Sequence, residues 1–346
     1  MATGAGGRLR IAGSAALLLL LTTVGVRTYL QSAPADRGSS ALRTVVYIPP
    51  GKGVQSIARQ LRESGVIHSA WAFLALAYLE GSLKRLQSGE YELSPEMSLR
   101  EILQKLEAGR VVTHQVTIPE GFTADDVAAL LASEQLVERP HFMALVNDAG
   151  FAKKLGVSAP ALEGYLFPDT YRLTRGMGEE EILRVMVTRF RQALPPDFQT
   201  RADRLGLGLH GMVTLASLIE KEAVLDEERP LISAVFHNRL RRNMPLQSDP
   251  TAIYGAPGGK RRIRAVDLQR KSPYNTYLNL GLPPGPIANP GLASLLAAIQ
   301  PSRVNFLYFV AKNDSSHAFS RTLEQHARAV RLYQGAGAKS RQDSSS

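Results

Sequence analysis

The sequence predicts an α+β protein, built as a small module and a larger one behind an apolar N-terminal segment. Three observations predict it. A strand, a Pro/Gly turn and an amphipathic helix recur at an offset of seventy residues, at Val46–Leu61 and Val116–Leu131. Helical apolar periodicity and short strand-like runs then follow one another in mixed order. Near the start, an uncharged run from Ile11 to Val26 is bracketed by arginines.

Arg8 and Arg10 precede that run, leucines fill positions 17–21, and Arg27 closes it. It is short of the roughly 17–25 residues that span a bilayer, but Thr28, Tyr29 and Leu30 extend it and Arg27 can snorkel to the interface. Residues 11–30 are therefore expected to be a transmembrane anchor, with residues 1–10 as a cytoplasmic tail and everything from Gln31 onward outside. A cleaved leader is the rival reading, and Ala33-Pro34-Ala35 offers it a poor site because of the proline. Residues 31–43 are small, polar and Pro/Gly-bearing, as suits a tether. The net charge of +10 implies an acidic partner, and the outward orientation argues against nucleic acid. With no cysteine, disulfides, thiolate catalysis and zinc–thiolate sites are excluded.

Seven positions coincide between the two copies of the repeat: Val46, Ile48, Pro49, Gly51, Ile57, Ala58 and Leu61 against Val116, Ile118, Pro119, Gly121, Val127, Ala128 and Leu131. A weaker third copy is Tyr91, Leu93 and Pro95 followed by Leu99, Ile102, Leu103 and Leu106. Ala70–Leu79 reads as an apolar helix and Gly89–Leu93 as a strand, so residues 44–110 form a small α+β module. It holds no constellation of acids, bases and histidines, and Glu90, Glu92, Glu96 and Glu101 read as a solvated face. In the second module, residues 113–335, the segment LEGYLFPDTYRL at Leu162–Leu173 sets Glu163, Phe167 and Asp169 among other aromatics. Aromatics offer sugar rings a stacking face and carboxylates bind hydroxyls, while the same alternation suits a strand with one face in the core. Glu179–Glu181 open a helix through Ala193, where acids complement the helix dipole.

Met212, Leu215, Ala216, Ile219 and Ala223 place an apolar stripe on a helix, flanked by Glu220 and Glu222 about 200° apart around the axis. The two carboxyls cannot both point into one cleft. One pressed against the stripe has its pKa raised by desolvation, as a general acid near neutral pH requires; two solvated glutamates beside Lys221 explain the same letters. Helical spacing does not choose between Glu220 and Glu222. A further helix covers Leu231–Leu240, after which MPLQSDPTAIYG presents Gln247, Ser248, Asp249, Thr251 and Tyr254, groups able to bind sugar hydroxyls or hold a catalytic carboxyl.

Gly258–Arg264 is a basic turn, and Ser272–Gly291 is too rich in proline and glycine for regular structure. It reads as a long shaped loop with Asn275, Thr276, Tyr277 and Asn289 as candidate contacts. A helix at Leu292–Ile299, a strand at Phe306–Ala311, His317 near a strand end and a helix at Glu324–Tyr333 complete the module. Residues 336–346 read as a disordered tail. No Walker loop, dinucleotide fingerprint, HExxH or GxSxG occurs, so no cofactor or metal is expected, and the remaining theme is carboxylate chemistry on a polar polymer.

The motifs EGYLFPDTY, ASLIEKEA, FHNRL, MPLQSDPTAIYG, SPYNTYLNLGLPPGPIANPG and LYFVAKNDSSHAFSRTLEQH stand in this order behind the apolar segment. Together they resemble the MltG (YceG-like) family of endolytic murein transglycosylases over nearly the whole chain after residue 44. The resemblance implies that residues 44–110 are a LysM-like module and 113–335 the catalytic domain. It implies that Glu220, the first Glu of the EKE triplet, is the catalytic acid. Glu163, Gln247, Asp249, Asn275 and Tyr277 fall on motif positions that line the cleft, beside Phe167 and Asp169. The implied substrate is the glycan strand of peptidoglycan, cut between N-acetylmuramic acid and N-acetylglucosamine to leave a 1,6-anhydro end, at the outer side of the inner membrane and near wall synthases. A conventional hydrolase pairing Glu220 with Asp249 or Glu163, and a non-catalytic wall-binding protein, are the alternatives.

Overall fold

The computed structural model describes residues 43–257 and 263–334. The expected tail 1–10, the anchor 11–30, all but the last residue of the tether, most of the basic turn and the end at 336–346 lie outside the described residues. Among the described residues no helix is long and apolar enough to cross a membrane. The described residues form an α+β architecture, with many helices and three two-stranded sheets among them. The chain divides into two compact units: Met1–Gln115 with Arg172–Met177, and Val116–Tyr171 with Gly178–Ser346.

Within the first unit, β1 (Thr44–Ile48) leads through a turn at Gly51 to α1 (Val54–Glu63), then α2 (Ala70–Leu79), β2 (Gly89–Leu93) and α3 (Leu99–Glu107). β1 and β2 pair antiparallel, Thr44 opposite Leu93 and Ile48 opposite Gly89. Alternation sends Val46, Ile48, Tyr91 and Leu93 inward, where they meet Ile57, Ala58, Leu61, Phe73, Leu76, Ile102, Leu103 and Leu106 in one core. Tyr91 satisfies its hydroxyl by donating to the Gln87 carbonyl at 2.8 Å. α3 begins with a capping box, Ser98 and Glu101 exchanging side-chain and backbone hydrogen bonds, so Glu101 has a local structural task.

Glu90 corrects the solvated-face expectation: it is only 5% exposed. His114 Nε2 lies 2.6 Å from one of its oxygens and Arg175 Nη1 donates to the other at 2.8 Å. A carboxylate leaves water only when such partners replace it, and both come from remote sequence.

β3 (His114–Thr117), α4 (Ala124–Ser133), α5 (Arg139–Val146), α6 (Ala149–Lys154) and β4 (Thr170–Leu173) come next. β3 pairs with β4, and the division between the units runs through both strands. The strand expected from the aromatics of 162–173 is confined to Thr170–Leu173, because Gly164 at φ +88° and Pro168 turn the preceding residues out of extended register. The repeat is real in three dimensions. Val116, Ile118, Val127, Ala128 and Leu131 are all buried, as are their equivalents seventy residues earlier, and Gly51 and Gly121 share a left-handed φ, +76° and +74°.

The remaining helices are α7 (Glu179–Ala193), α8 (Phe198–Arg204), α9 (Gly208–Glu222), α10 (Arg229–Arg241), α11 (Asp249–Ile253) and α12 (Leu292–Ile299). β5 (Tyr308–Ala311), β6 (His317–Ser320) and α13 (Leu323–Tyr333) follow, with β5 and β6 antiparallel, Tyr308 opposite Ser320. α9 is the axis of this unit, packed against α8, α10, α11 and α12. The sequence shows one apolar stripe, yet every residue from Met212 to Ile219 is buried. The polar face is buried because its groups are satisfied: Thr214 Oγ1 donates to the His210 carbonyl at 2.8 Å, and Ser217 Oγ donates to the Thr214 carbonyl at 2.7 Å and accepts from Ile287 N–H at 3.1 Å. Residues 272–291 contain no helix or strand and pack as a fixed loop.

Leu61 and Leu131 fill equivalent places in the two copies and are both fully buried. Leu61→Ala and Leu131→Ala are each expected to cost about 2–5 kcal/mol. Denaturant unfolding followed by hydrogen exchange should show loss of protection first in residues of the unit that carries the substitution.

Candidate active site

α9 delivers two carboxyls at its C-terminal end, and they find different surroundings. The side chain of Glu220 is 7% exposed. Its Oε2 accepts a hydrogen bond from the Gly291 N–H at 3.0 Å and lies 3.5 Å from Arg229 Nη1. Arg229, also buried, donates onward to Asp226 Oδ1 at 3.0 Å and Ser294 Oγ at 2.7 Å. Gly291 is the N-cap of α12, so Glu220 sits at the positive end of that helix. Oε1 of Glu220 has no hydrogen-bond partner among the described residues.

Two glycines stand beside this group. A Cβ on Gly121 would stand 3.5 Å from Glu220 Cγ, and one on Gly291 would stand 2.0 Å from the carboxyl of Glu120. Glu120 thus lies across a single glycine from Glu220. Burial first, and then the charge of Glu220, push the Glu120 carboxyl above its ordinary range. The turn that carries it is fixed: Gly121 N–H donates to the Asn289 carbonyl at 2.9 Å, and Lys221 Nζ donates to the Gly121 carbonyl at 3.4 Å.

Glu222 points elsewhere, as the angle around the helix requires. Ser248 Oγ donates to its Oε1 at 2.6 Å, and desolvation raises its pKa to about 7. The enclosed carboxyl that the apolar stripe predicts is therefore Glu222. Glu163 is raised to about 7 for the same reason, against the opposing effect of its donors. Those donors are Ala124 N–H at 3.0 Å, Tyr254 Oη at 3.1 Å and Asn289 Nδ2 at 3.3 Å.

The other residues singled out from the sequence fall into two groups. Gln247 and Asp249 are exposed, and Tyr277 is half-buried with its hydroxyl donating to Asp249 Oδ1 at 2.5 Å. Arg239 Nη1 donates to Gln247 Oε1 at 3.2 Å. Asn275, by contrast, is fully buried, its amide donating to the carbonyls of Leu268 and Arg270 and accepting from Tyr277 N–H. Phe167 is 6% exposed with the Arg189 guanidinium 5.3 Å from its ring centre. Asp169 pairs with Arg189 at 2.5 Å, which holds its carboxyl below the usual range. His317 Nδ1 lies 2.6 Å from Glu228 Oε2, beside the rings of Phe309 and Phe319.

Sequence reasoning did not single out Glu120, Arg229 or Gly291. A signal for the first existed in the repeat, since the residue between Pro and Gly is Pro50 in one copy and Glu120 in the other.

Fold and site together define an α+β protein whose second unit is centred on a buried glutamate at the end of its axial helix. The YceG-like family model matches residues 46–332, and the chain belongs to this family. It is 36% identical to the endolytic murein transglycosylase of Bacillus subtilis over 83% of this chain and 84% of that one. It is 31% identical to the endolytic murein transglycosylase of Streptococcus pneumoniae D39, over 86% of this chain and 59% of that longer protein. The crystal structure of a YceG-like protein from Listeria monocytogenes superposes with a TM-score of 0.57 at 33% identity, covering 84% of this chain and 99% of that one.

Glu222 leads to a stability prediction. Its carboxyl goes from an ordinary 4.5 to about 7 on folding. A raised carboxyl contributes stability that is complete below its unfolded pKa and lost as pH rises through the folded one. The wild-type chain is thus expected to lose up to about 3 kcal/mol through this group between about pH 4.5 and 7.5. Glu222→Gln should flatten that part of the dependence, read as a smaller drop in melting temperature across the same window.

Proposed function

We propose that this chain is a membrane-anchored endolytic lytic transglycosylase of peptidoglycan. It cuts the bond between N-acetylmuramic acid and N-acetylglucosamine in nascent glycan strands, leaves 1,6-anhydro ends, and so terminates strand growth. The observation that carries this reading is Glu220: a buried carboxyl with one oxygen held by Gly291 and Arg229 and the other unengaged, in a member of a family whose curated relatives bear the transglycosylase name.

In this reading Glu220 gives its proton to the glycosidic oxygen as the bond breaks, and positive charge develops on the muramic ring. The ionised Glu220 then takes the proton of the same sugar's 6-hydroxyl as that oxygen closes on the anomeric carbon, an intramolecular attack that needs no covalent intermediate with the protein. Gln247, Asp249 and Tyr277, which retain exposed surface, bind sugar hydroxyls. Glu163, Phe167, Asp169 and Asn275 complete the substrate-binding set, each with partners within the unit that fix its position. The sequence of residues 11–30 supports a single-pass inner-membrane anchor with the catalytic unit on the outer side. Residues 44–110 are read as a LysM-like module that holds glycan, near the synthases that supply it.

The test is mass spectrometry of the ends released from purified peptidoglycan by the detergent-solubilised chain. Wild type should release anhydro ends, Glu220→Gln should lower the rate by about 10²–10⁴-fold, and Glu222→Gln by less than about tenfold. Equal losses in the two variants would take the acid's role away from Glu220, and reducing ends from wild type would make the enzyme a hydrolase.

A further inference from the structure

Helix α2 of the first unit lacks a polar face. Its residues, AWAFLALAYL, carry no charge, and Phe73, Leu76 and Ala77 enter the core of that unit. The opposite stripe, Trp71, Ala75 and Tyr78 at the spacing of one helix face, is turned to solvent, with Leu74 half-buried beside it. Trp71 is 83% exposed and Tyr78 73% exposed, and Leu79 and Leu83 widen the patch where the helix ends. A helix that covers a core on one side ordinarily gives charged or polar residues to water on the other, so this outer face calls for an apolar neighbour. Lys84 and Arg85 follow Leu83 and are exposed, Arg85 in an ion pair with Glu107 at 2.7 Å.

The chemistry of the patch selects that neighbour. A sugar polymer is bound through several converging polar groups, and this stripe offers the single hydroxyl of Tyr78. A second copy of the chain would ordinarily meet roughly 20–30 residues on each side. Here the large exposed apolar side chains number four, Trp71, Tyr78, Leu79 and Leu83. A bilayer surface makes neither demand. Trp and Tyr favour its interface, where a ring is apolar at one end and wet at the other, and an adjacent lysine meets lipid phosphate. The chain also brings a bilayer within reach: the apolar segment at 11–30 closes at Leu30 and β1 opens at Thr44, which allows at most about 50 Å between them.

We infer that α2 lies on the membrane, with Trp71, Tyr78, Leu79 and Leu83 set into the headgroup boundary of the leaflet from which the anchor emerges, and Lys84 against lipid phosphates. The inference rests on the anchor reading of residues 11–30 above and adds a second, reversible contact to it. Trp71 and Tyr78 are about 10 Å apart along the helix on one stripe, so both enter the boundary together only when the axis lies parallel to the surface. The apolar face then sits about 5–10 Å into the boundary. The first unit is thereby held flat at the bilayer instead of ranging over the length of its tether.

Trp71 is the only tryptophan of the chain, so its fluorescence reports this face alone. The full chain is reconstituted into vesicles of phosphatidylcholine and phosphatidylglycerol, and flotation is measured first. Bromine on the upper half of the acyl chains is expected to lower Trp71 emission about twofold, and acrylamide to quench it about threefold less than free N-acetyltryptophanamide. Tyr78→Asp combined with Leu83→Asp, both at exposed positions, should restore emission and acrylamide access at an unchanged melting temperature. Bromine quenching that persists in this double variant would overturn the inference. If the double variant does not fold, Lys84→Glu decides: bromine quenching weakened about twofold upholds the contact, and wild-type quenching overturns it. A chain that floats while Trp71 is neither quenched by bromine nor shielded from acrylamide would overturn the inference and leave the anchor standing. Shielding without bromine quenching would give the face to a second copy, and emission that answers to added peptidoglycan fragments but not to bromine would give it to glycan; either result overturns the membrane contact. A chain that does not float would overturn the anchor, and this contact with it.

Discussion

Asn289 is fully buried, and its side-chain and main-chain polar groups are all engaged by two distant segments. Its Oδ1 accepts from Gly164 and Leu166 N–H at 2.9 and 3.0 Å, and its Nδ2 donates to the Phe122 carbonyl at 2.9 Å and toward Glu163. Its backbone N–H and carbonyl bond Phe122 and Gly121. One residue thereby joins the 121–122 turn, the 163–166 turn and the start of the segment that leads to Gly291. A buried amide satisfied on every side fixes the relative placement of what it binds, because moving any partner leaves a polar atom without water or protein. Glu120, Glu163 and the Gly291 N–H that holds Glu220 all depend on it for position.

Around that joint, three carboxyls differ in their surroundings. Glu222 and Glu163 are enclosed and pushed up to about 7 even though each accepts hydrogen bonds. Glu220, two residues before Glu222, meets a guanidinium and a helix-capping N–H instead. Proton affinity alone would draw attention to Glu222, which is sequestered behind Ser248. An unengaged oxygen, rather than the largest shift, distinguishes Glu220 among them.

The duplicated strand–turn–helix unit shows how a scaffold and a site separate. Its two copies bury the same apolar positions and use the same left-handed glycine, so core packing constrains them alike. The residue before that glycine is free of the core in both, and there the copies diverge, Pro50 in one and Glu120 in the other. Variation at a turn held by a shared frame leaves the fold intact.

Elements with strong periodicity are specified by the chain locally. Gly89–Leu93 and Glu179–Ala193 are legible to the residue from their apolar spacing and terminal residues, and Ala70–Leu79 and Leu292–Ile299 as short, almost unbroken apolar runs of helix-forming residues. The opposite headings of Glu220 and Glu222 are legible too, since helix geometry fixes them. Tertiary structure decides which groups are buried and by what. The paired burial of Glu90 needs His114 and Arg175, the burial of Met212–Ile219 on every side of α9 needs hydroxyls turned to local carbonyls, and the adjacency of Glu120 and Glu220 needs Gly291 between them. His114 lies 24 positions from Glu90, and Gly291 lies 71 positions from Glu220, so no local pattern announces these partners. Desolvation is a property of surroundings, and surroundings exist only once the chain is folded.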